Sequence, residues 1–172
     1  NVITTIAGNG NGGFSGDGGD ALLAQISNPQ SVAVDTAGNI YFADTGNHRV
    51  RKIAADGKIF TVVGTGVAGF SGDGGDGIFA ELNKPTSVAV DSQGLLYIAD
   101  YHNHRVRKLS VDGKITTFFG KENTGLGDNG PATAAYLRNP QGMSIDKAGN
   151  LYIAEQYDHR VRKVSNDGII TT

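Results

Sequence analysis

The sequence predicts an all-β chain of β-propeller blades, each of four antiparallel strands, and three observations carry that prediction. A unit of about 56 residues occurs three times in 172 residues: Asn47-His48-Arg49-Val50-Arg51-Lys52 returns as Asn103-His104-Arg105-Val106-Arg107-Lys108 and as Asp158-His159-Arg160-Val161-Arg162-Lys163. Pro29, Pro85 and Pro140 keep the same step. A period of this size marks a supersecondary unit that buries its faces only against its neighbours. Second, β-branched and aromatic residues form short runs bounded by Gly, Asn and Asp, the signature of short strands and tight turns. Third, the innermost runs are apolar at every position, so both of their faces must be covered. Blades packed side by side meet that demand.

Each strand follows from its residues. Strand a, Ser31–Asp35, ends at the turn Thr36-Ala37-Gly38-Asn39. Strand b is Ile40–Asp44 and strand c is His48–Ile53. Asp56-Gly57 then tolerates the positive φ of a two-residue hairpin. Strand d is Lys58–Val63. This phase places blade 1 at about 28–63, blade 2 at about 84–119 and blade 3 at about 139–172. Val2-Ile3-Thr4-Thr5 repeats the phase of Ile169-Ile170-Thr171-Thr172, so residues 1–7 are expected as one more outer strand.

The chain resembles the NHL repeat family of β-propellers. The resemblance rests on Asn28-Pro29-Gln30-Ser31-Val32-Ala33-Val34-Asp35, Gly38–Asp44, Asn47–Lys52 and Asp56-Gly57, and it recurs three times. The third copy carries Glu155 for Asp, Asp158 for Asn and Gly142-Met143-Ser144-Ile145 in strand a. The resemblance implies closure with six blades. Three blades cannot complete a ring, and two bare flanks would be a large apolar patch. A homodimer with swapped closing strands supplies six blades. A longer parent closing its ring in cis is the alternative.

Bulk properties exclude several classes. There is no Cys, so no disulfide framework. No apolar run is long enough to cross a bilayer as a helix, and the start shows neither a basic n-region nor a long apolar h-region, so no signal peptide is expected. A net charge of −2 gives no global pull toward nucleic acid or anionic lipid, so neither nucleic acid nor membrane is an expected partner.

Residues common to all copies serve the blade. Asp44 with Arg49, Asp100 with Arg105 and Glu155 with Arg160 are expected as ion pairs across the b–c hairpin. His48, His104 and His159 lie too far from the axis to share a metal ion at about 2 Å. The glycine-rich d–a connections carry Asp17, Asp20, Asp73 and Asp76 and are weak cation candidates, because they lack the Asp ladder and distal Glu of a calcium loop. Asp residues accepting backbone N–H bonds explain them, with Asp20 capping a short helical turn over Ala21–Ile26. No metal and no cofactor is expected.

The copies differ at the b–c tips, which read Thr45-Gly46, Tyr101-His102 and Gln156-Tyr157. Tips on a rigid scaffold are where binding concentrates. Tyr101, His102, Asn103, Gln156, Tyr157 and Asp158 are therefore the expected ligand-binding set, for a protein or peptide first and a glycan second. The expected role is a non-catalytic binding or structural scaffold. The alternatives are a metal-dependent lyase or hydrolase of the propeller type, and an excised or engineered propeller fragment without a ligand of its own.

Overall fold

A computed structural model describes residues 2–120 and 125–172. Asn1, the first residue of the expected outer strand, lies outside the described residues. Blade 1 consists of β1 (Pro29–Val34), β2 (Ile40–Asp44), β3 (Arg49–Ile53) and β4 (Ile59–Val63), hydrogen-bonded in that order. Blade 2 repeats it with β5 (Pro85–Val90), β6 (Leu96–Asp100), β7 (Arg105–Leu109) and β8 (Ile115–Phe119). In blade 3, β10 (Pro140–Ile145), β11 (Leu151–Glu155), β12 (Arg160–Val164) and β13 (Ile169–Thr171) are joined by a fifth, two-residue strand, β9 (Gly130–Pro131), outside β13.

Strand b falls where expected, and the boundaries of strands a, c and d shift by no more than two residues. His48, expected to open strand c, is instead the left-handed cap (φ 53°) of a 3-10 turn over Thr45–Asn47. His104 and His159 share that φ. Residues 2–7, expected as an outer strand, form none, and Val2 and Ile3 are 91% and 98% exposed. The strand-d position of blade 3 is held by β13 of the same chain, with β9 outside it.

The core lies between blades. Ala43, Val50 and Val63 of blade 1 meet Val88, Leu96, Ile98 and Ile115 of blade 2, with Ala80 and Leu82 of the d–a connection wedged among them. The next interface repeats the pattern with Val106 and Phe119 against Ile153, Val164 and Ile170. Fully burying one such aliphatic side chain contributes about 1.5–3 kcal/mol, so these two layers dominate cohesion. Strand a shows the effect of having neighbours: β5, between two blades, is buried along most of its length, while β1 at the open flank is not.

The d–a connections are held at the b–c tips, where Asn47 and Asn103 donate to Gly13 O and Gly69 O, but do not stay at that end. Each runs down the outer rim of the blade that follows it in sequence. Gly18 N–H donates to Ile59 O (2.8 Å) and Ile59 N–H to Gly19 O (3.0 Å), so this segment acts as a fifth strand beside β4. Gly74 and Gly75 do the same for Ile115. The chain then returns inward through 3-10 turns at Ala21–Leu23, Gly77–Phe79 and Ala132–Ala134.

Candidate functional site

A buried arginine organises each blade. Arg51, fully buried, donates to Asp44 Oδ2 (3.4 Å), Asp17 Oδ1 (2.7 Å) and the Ser15 carbonyl (3.0 Å). Arg107 repeats this with Asp100 (3.5 Å), Asp73 (2.7 Å) and the Ser71 carbonyl (3.0 Å). Arg162 forms an ion pair with Glu155 (3.5 Å) and donates to Asp128 (2.8 Å) and the Leu126 carbonyl (2.7 Å). This corrects the expected pairing. Arg49, Arg105 and Arg160 stand opposite Asp44, Asp100 and Glu155 in strand register, yet the carboxylates bond the arginine two positions further along. Arg49 lies over the Phe14 ring, 3.7 Å from its centroid, and donates to the Asn47 carbonyl, while Arg105 sits 3.8 Å over Phe70. Arg160 reaches Asp158 at 3.9 Å.

Asp44 and Asp100 are satisfied before any ligand arrives, whereas the buried Glu155 Oε2 accepts no hydrogen bond among the described residues. Asp100 accepts from Asn83 N–H (2.7 Å) and Asn103 Nδ2 (2.8 Å) as well as from Arg107. Burial still pushes Asp100 up to about 6, against the opposing effect of those bonds. Burial likewise raises Glu155. The cation candidates are also engaged. Asp17 and Asp73 hold arginines, Asp20 caps the Ala21–Leu23 turn through Leu22 N–H (2.9 Å), and Asp76 pairs with Lys114 (2.6 Å). Among the described residues no three His, Cys, Asp or Glu side chains gather to hold a metal.

The tips are fastened across blades. His48 Nδ1 accepts Lys84 N–H (3.1 Å) from the next blade, and His104 Nδ1 accepts Asn139 N–H (3.2 Å). Burial, then Lys84, His102 and Arg49, holds the His48 imidazolium below its usual pKa. Ser31 Oγ accepts Val88 N–H and Ser87 Oγ accepts Met143 N–H, two further inter-blade bonds nearer the axis.

Of the expected ligand-binding residues, the structure brings three together. Tyr101, His102 and Gln156 line a depression of about 410 Å3 with Gln30, Thr86 and Gln141 at the starts of the inner strands. Tyr101 Oη donates to Gln156 Oε1 (2.6 Å), and the Tyr101 and His102 rings meet edge to face at 4.9 Å. Burial and a hydrogen bond with Tyr157 raise the Tyr101 phenol above its ordinary pKa. Two expected members are otherwise engaged. Asn103 Nδ2 donates to Gly69 O and to Asp100, as Asn47 does in blade 1. Asp158 pairs with Arg138 (3.6 Å). Tyr157, 55% exposed, lies under Arg138 at 5.8 Å. Sequence reasoning missed Lys84, which lines the same depression.

The two flanks of the three-blade stack leave apolar side chains exposed. Val32 and Val161 are 68% and 61% exposed, whereas their equivalents Val88, Val50 and Val106 are buried to 2% or less.

Comparison with known proteins matches this architecture. The NHL repeat profile matches residues 82–109, and the Teneurin NHL domain profile matches residues 7–69. Human NHL repeat-containing protein 2 is 29% identical over 146 residues, which cover 77% of this chain and 19% of that protein. Drosophila melanogaster Teneurin-m is 29% identical over 171 residues, covering 90% of this chain and 6% of the relative. The chain thus spans about a fifth or less of these relatives. A structural-genomics protein of unknown function from Bacteroides thetaiotaomicron superposes with a TM-score of 0.64 at 28% identity, over 73% of this chain and 32% of that one. The fold, but no more, is shared with a chain of a nidogen/laminin complex (TM-score 0.58, 20% identity, 82% of this chain and 45% of that one). It is shared likewise with a Xanthomonas campestris gluconolactonase (0.60, 14%, 86% and 47%). With three copies of the blade, each locked by the same arginine and the first two tied to the next by a tip histidine, the chain carries an NHL repeat at residues 82–109 and resembles the NHL repeat proteins in all three blades.

Proposed function

We propose that this chain is a non-catalytic NHL propeller segment that binds a protein or peptide through its b–c tips, and that its bare flanks pair with a second copy to complete a six-bladed ring. One observation carries the reading: the chain holds both halves of its own inter-blade interface, unused. Val32 and Val34 stand at 68% and 60% exposure on one flank, and Val161 at 61% on the other. A head-to-tail contact between copies joins the same residue types that already join blades 1, 2 and 3, and it ends in a ring only if the rotation closes. A glycan is the second ligand class for the tips. The inner-strand starts are Gln30, Thr86 and Gln141, which are poor metal ligands and favour binding over metal-assisted chemistry.

Light scattering at roughly micromolar protein, where interfaces of nanomolar to micromolar Kd are populated, is expected to give twice the 17.9 kDa chain mass. Val161→Asp is expected to return it to one chain. A wild-type mass of one chain rejects the pairing. On a peptide array, Tyr101→Ala and Tyr157→Ala are expected to lose the hits of the wild type, and hits that both variants retain reject the tip site.

A further inference from the structure

At the end of the molecule opposite the tips, a groove runs between adjacent blades from the a–b turns to the c–d turns, and the chain contains it twice. Between blades 1 and 2 it encloses about 390 Å3, and between blades 2 and 3 about 450 Å3. Both copies share a tyrosine (Tyr41, Tyr97), a lysine (Lys52, Lys108) and a turn aspartate (Asp35, Asp91). The copies diverge at three lining positions: Val62 becomes Phe118, Leu109 becomes Val164 and Val111 becomes Asn166. The blade needs none of the three new residues, because the first groove holds its blades together with the others.

Those replacements change the chemistry in one direction. Phe118 packs edge to face on Tyr97 (5.0 Å), with Lys108 Nζ 5.3 Å from its centroid, giving the second groove an aromatic wall. Val164 is shorter than Leu109 and deepens the floor. Asn166 brings an amide to the rim, its Nδ2 only 3.4 Å from the Ala148 carbonyl. A fourth change lies beside them. Asp35 and Asp146 each receive an asparagine Nδ2 at 2.8 Å on Oδ2, but Leu95 replaces that asparagine in blade 2. Among the described residues Asp91 Oδ2 therefore keeps only Tyr97 Oη, at 3.3 Å, and has acceptor capacity to spare. Charge in the groove balances, with Lys108 and Lys147 against Asp91 and Asp167, so it does not select an ion.

The geometry points to this second groove as a binding site for a neutral pyranose sugar. The C–H face of the ring would lie on Phe118, Tyr97 and Leu95, with its equatorial hydroxyls directed to Asp91 Oδ2 and Asn166. An apolar wall with a few convergent polar groups, at a volume in the roughly 300–1,000 Å3 range, is the usual form of a small-molecule site. Both walls belong to one chain, so the site does not depend on ring closure or on the tip face.

The test is an NMR titration of the 15N-labelled chain with methyl β-D-glucopyranoside, methyl α-D-mannopyranoside and cellobiose, each to about 20 mM, enough to populate a site with a Kd of about 1–10 mM. At least one sugar is expected to shift the amides of residues 91–97 and 165–168 saturably, while residues 35–41 and 110–113 stay still. Phe118→Val and Asn166→Val convert the second groove toward the first, whose Val62 and Val111 show that the blades accept these side chains. Losing the ring contact is expected to weaken binding about fivefold or more. The proposal is overturned if no sugar moves the second groove, if both grooves respond alike, or if both valine variants bind as tightly as the wild type.

Discussion

Replacing Arg107 by Met tests what the buried arginine does for a blade. Met refills most of the volume but donates nothing. The change strips Asp100, itself fully buried, of its cation, and it leaves the Ser71 and Glu81 carbonyls without the donors they have at 3.0 and 3.3 Å. Asp73 is 38% exposed and recovers water, so its loss costs little. Breaking a buried ion pair from one side costs about 3–5 kcal/mol, so about 4 kcal/mol is expected at pH 8. The pH dependence supplies the sharper check. Asp100 has a pKa of about 6 in the fold against 3.8 as an ordinary carboxylate. The folded chain therefore holds that proton more tightly, and the associated stability is present below pH 3.8 and lost as pH rises through about 6. Removing the guanidinium, which favours the ionised form, raises the folded pKa further. The variant then carries a neutral Asp100 at pH 5, and its deficit should shrink by at least about 1 kcal/mol relative to pH 8. Urea unfolding at the two pH values measures both numbers. Adding Asp100→Asn should return about 2 kcal/mol. A deficit below about 1 kcal/mol at pH 8, typical of an exposed pair, or one that is flat with pH, refutes the reasoning.

Other consequences are as direct. Gly64 has φ 105°, and a Cβ there would stand 2.5 Å from the His48 carbonyl; Gly64→Ala should cost about 3 kcal/mol in urea unfolding, since backbone overlap adds to left-handed strain. Gly57 has φ 82° with open space around it, so Gly57→Ala should cost only the strain, about 1 kcal/mol. His48 and His159 share φ 53°, but only His48 has a following blade in the same chain. In a Val161→Asp background, His48→Ala should therefore be the more destabilising of the two by about 1 kcal/mol, one net hydrogen bond. Equal melting temperatures for the two variants would contradict the inter-blade role of His48.

Much of the fold was legible because its signals are local. Strand b, Ile40–Asp44, coincides with β2, and the Asp20 cap lies where turn chemistry puts it, but the c–d turn is longer than the expected two residues, with Gly57 (φ 82°) and not Asp56 at positive φ. The arginine clasp was misread because strand register was taken to decide the ion pair. Arg49 is opposite Asp44, but Arg51 lies on the same strand face beneath the d–a segment and is the one sealed from water. A signal existed: Asp17, Asp73 and Asp128 each precede their arginine by 34 residues, a constant interval that the repeat alone makes visible. The path of the d–a segment was not legible, since glycine-rich sequence permits many routes and the choice is made by pairing with a distant strand. At the tips, variation between copies located Tyr101, His102 and Gln156, but it did not separate Asn103, which braces its own hairpin, from the residues left facing outward.

The d–a segment also bears on how such arrays can grow. Because each unit folds its leading stretch back along its own last strand, every module arrives with its outer border already sealed. Adding or deleting whole modules therefore never uncovers a raw ladder of amide and carbonyl groups, the usual hazard when a sheet is cut. Only the greasy sides need a neighbour. In such a protein, duplication and loss of modules are constrained by the geometry of stacking around the axis and not by aggregation at the perimeter.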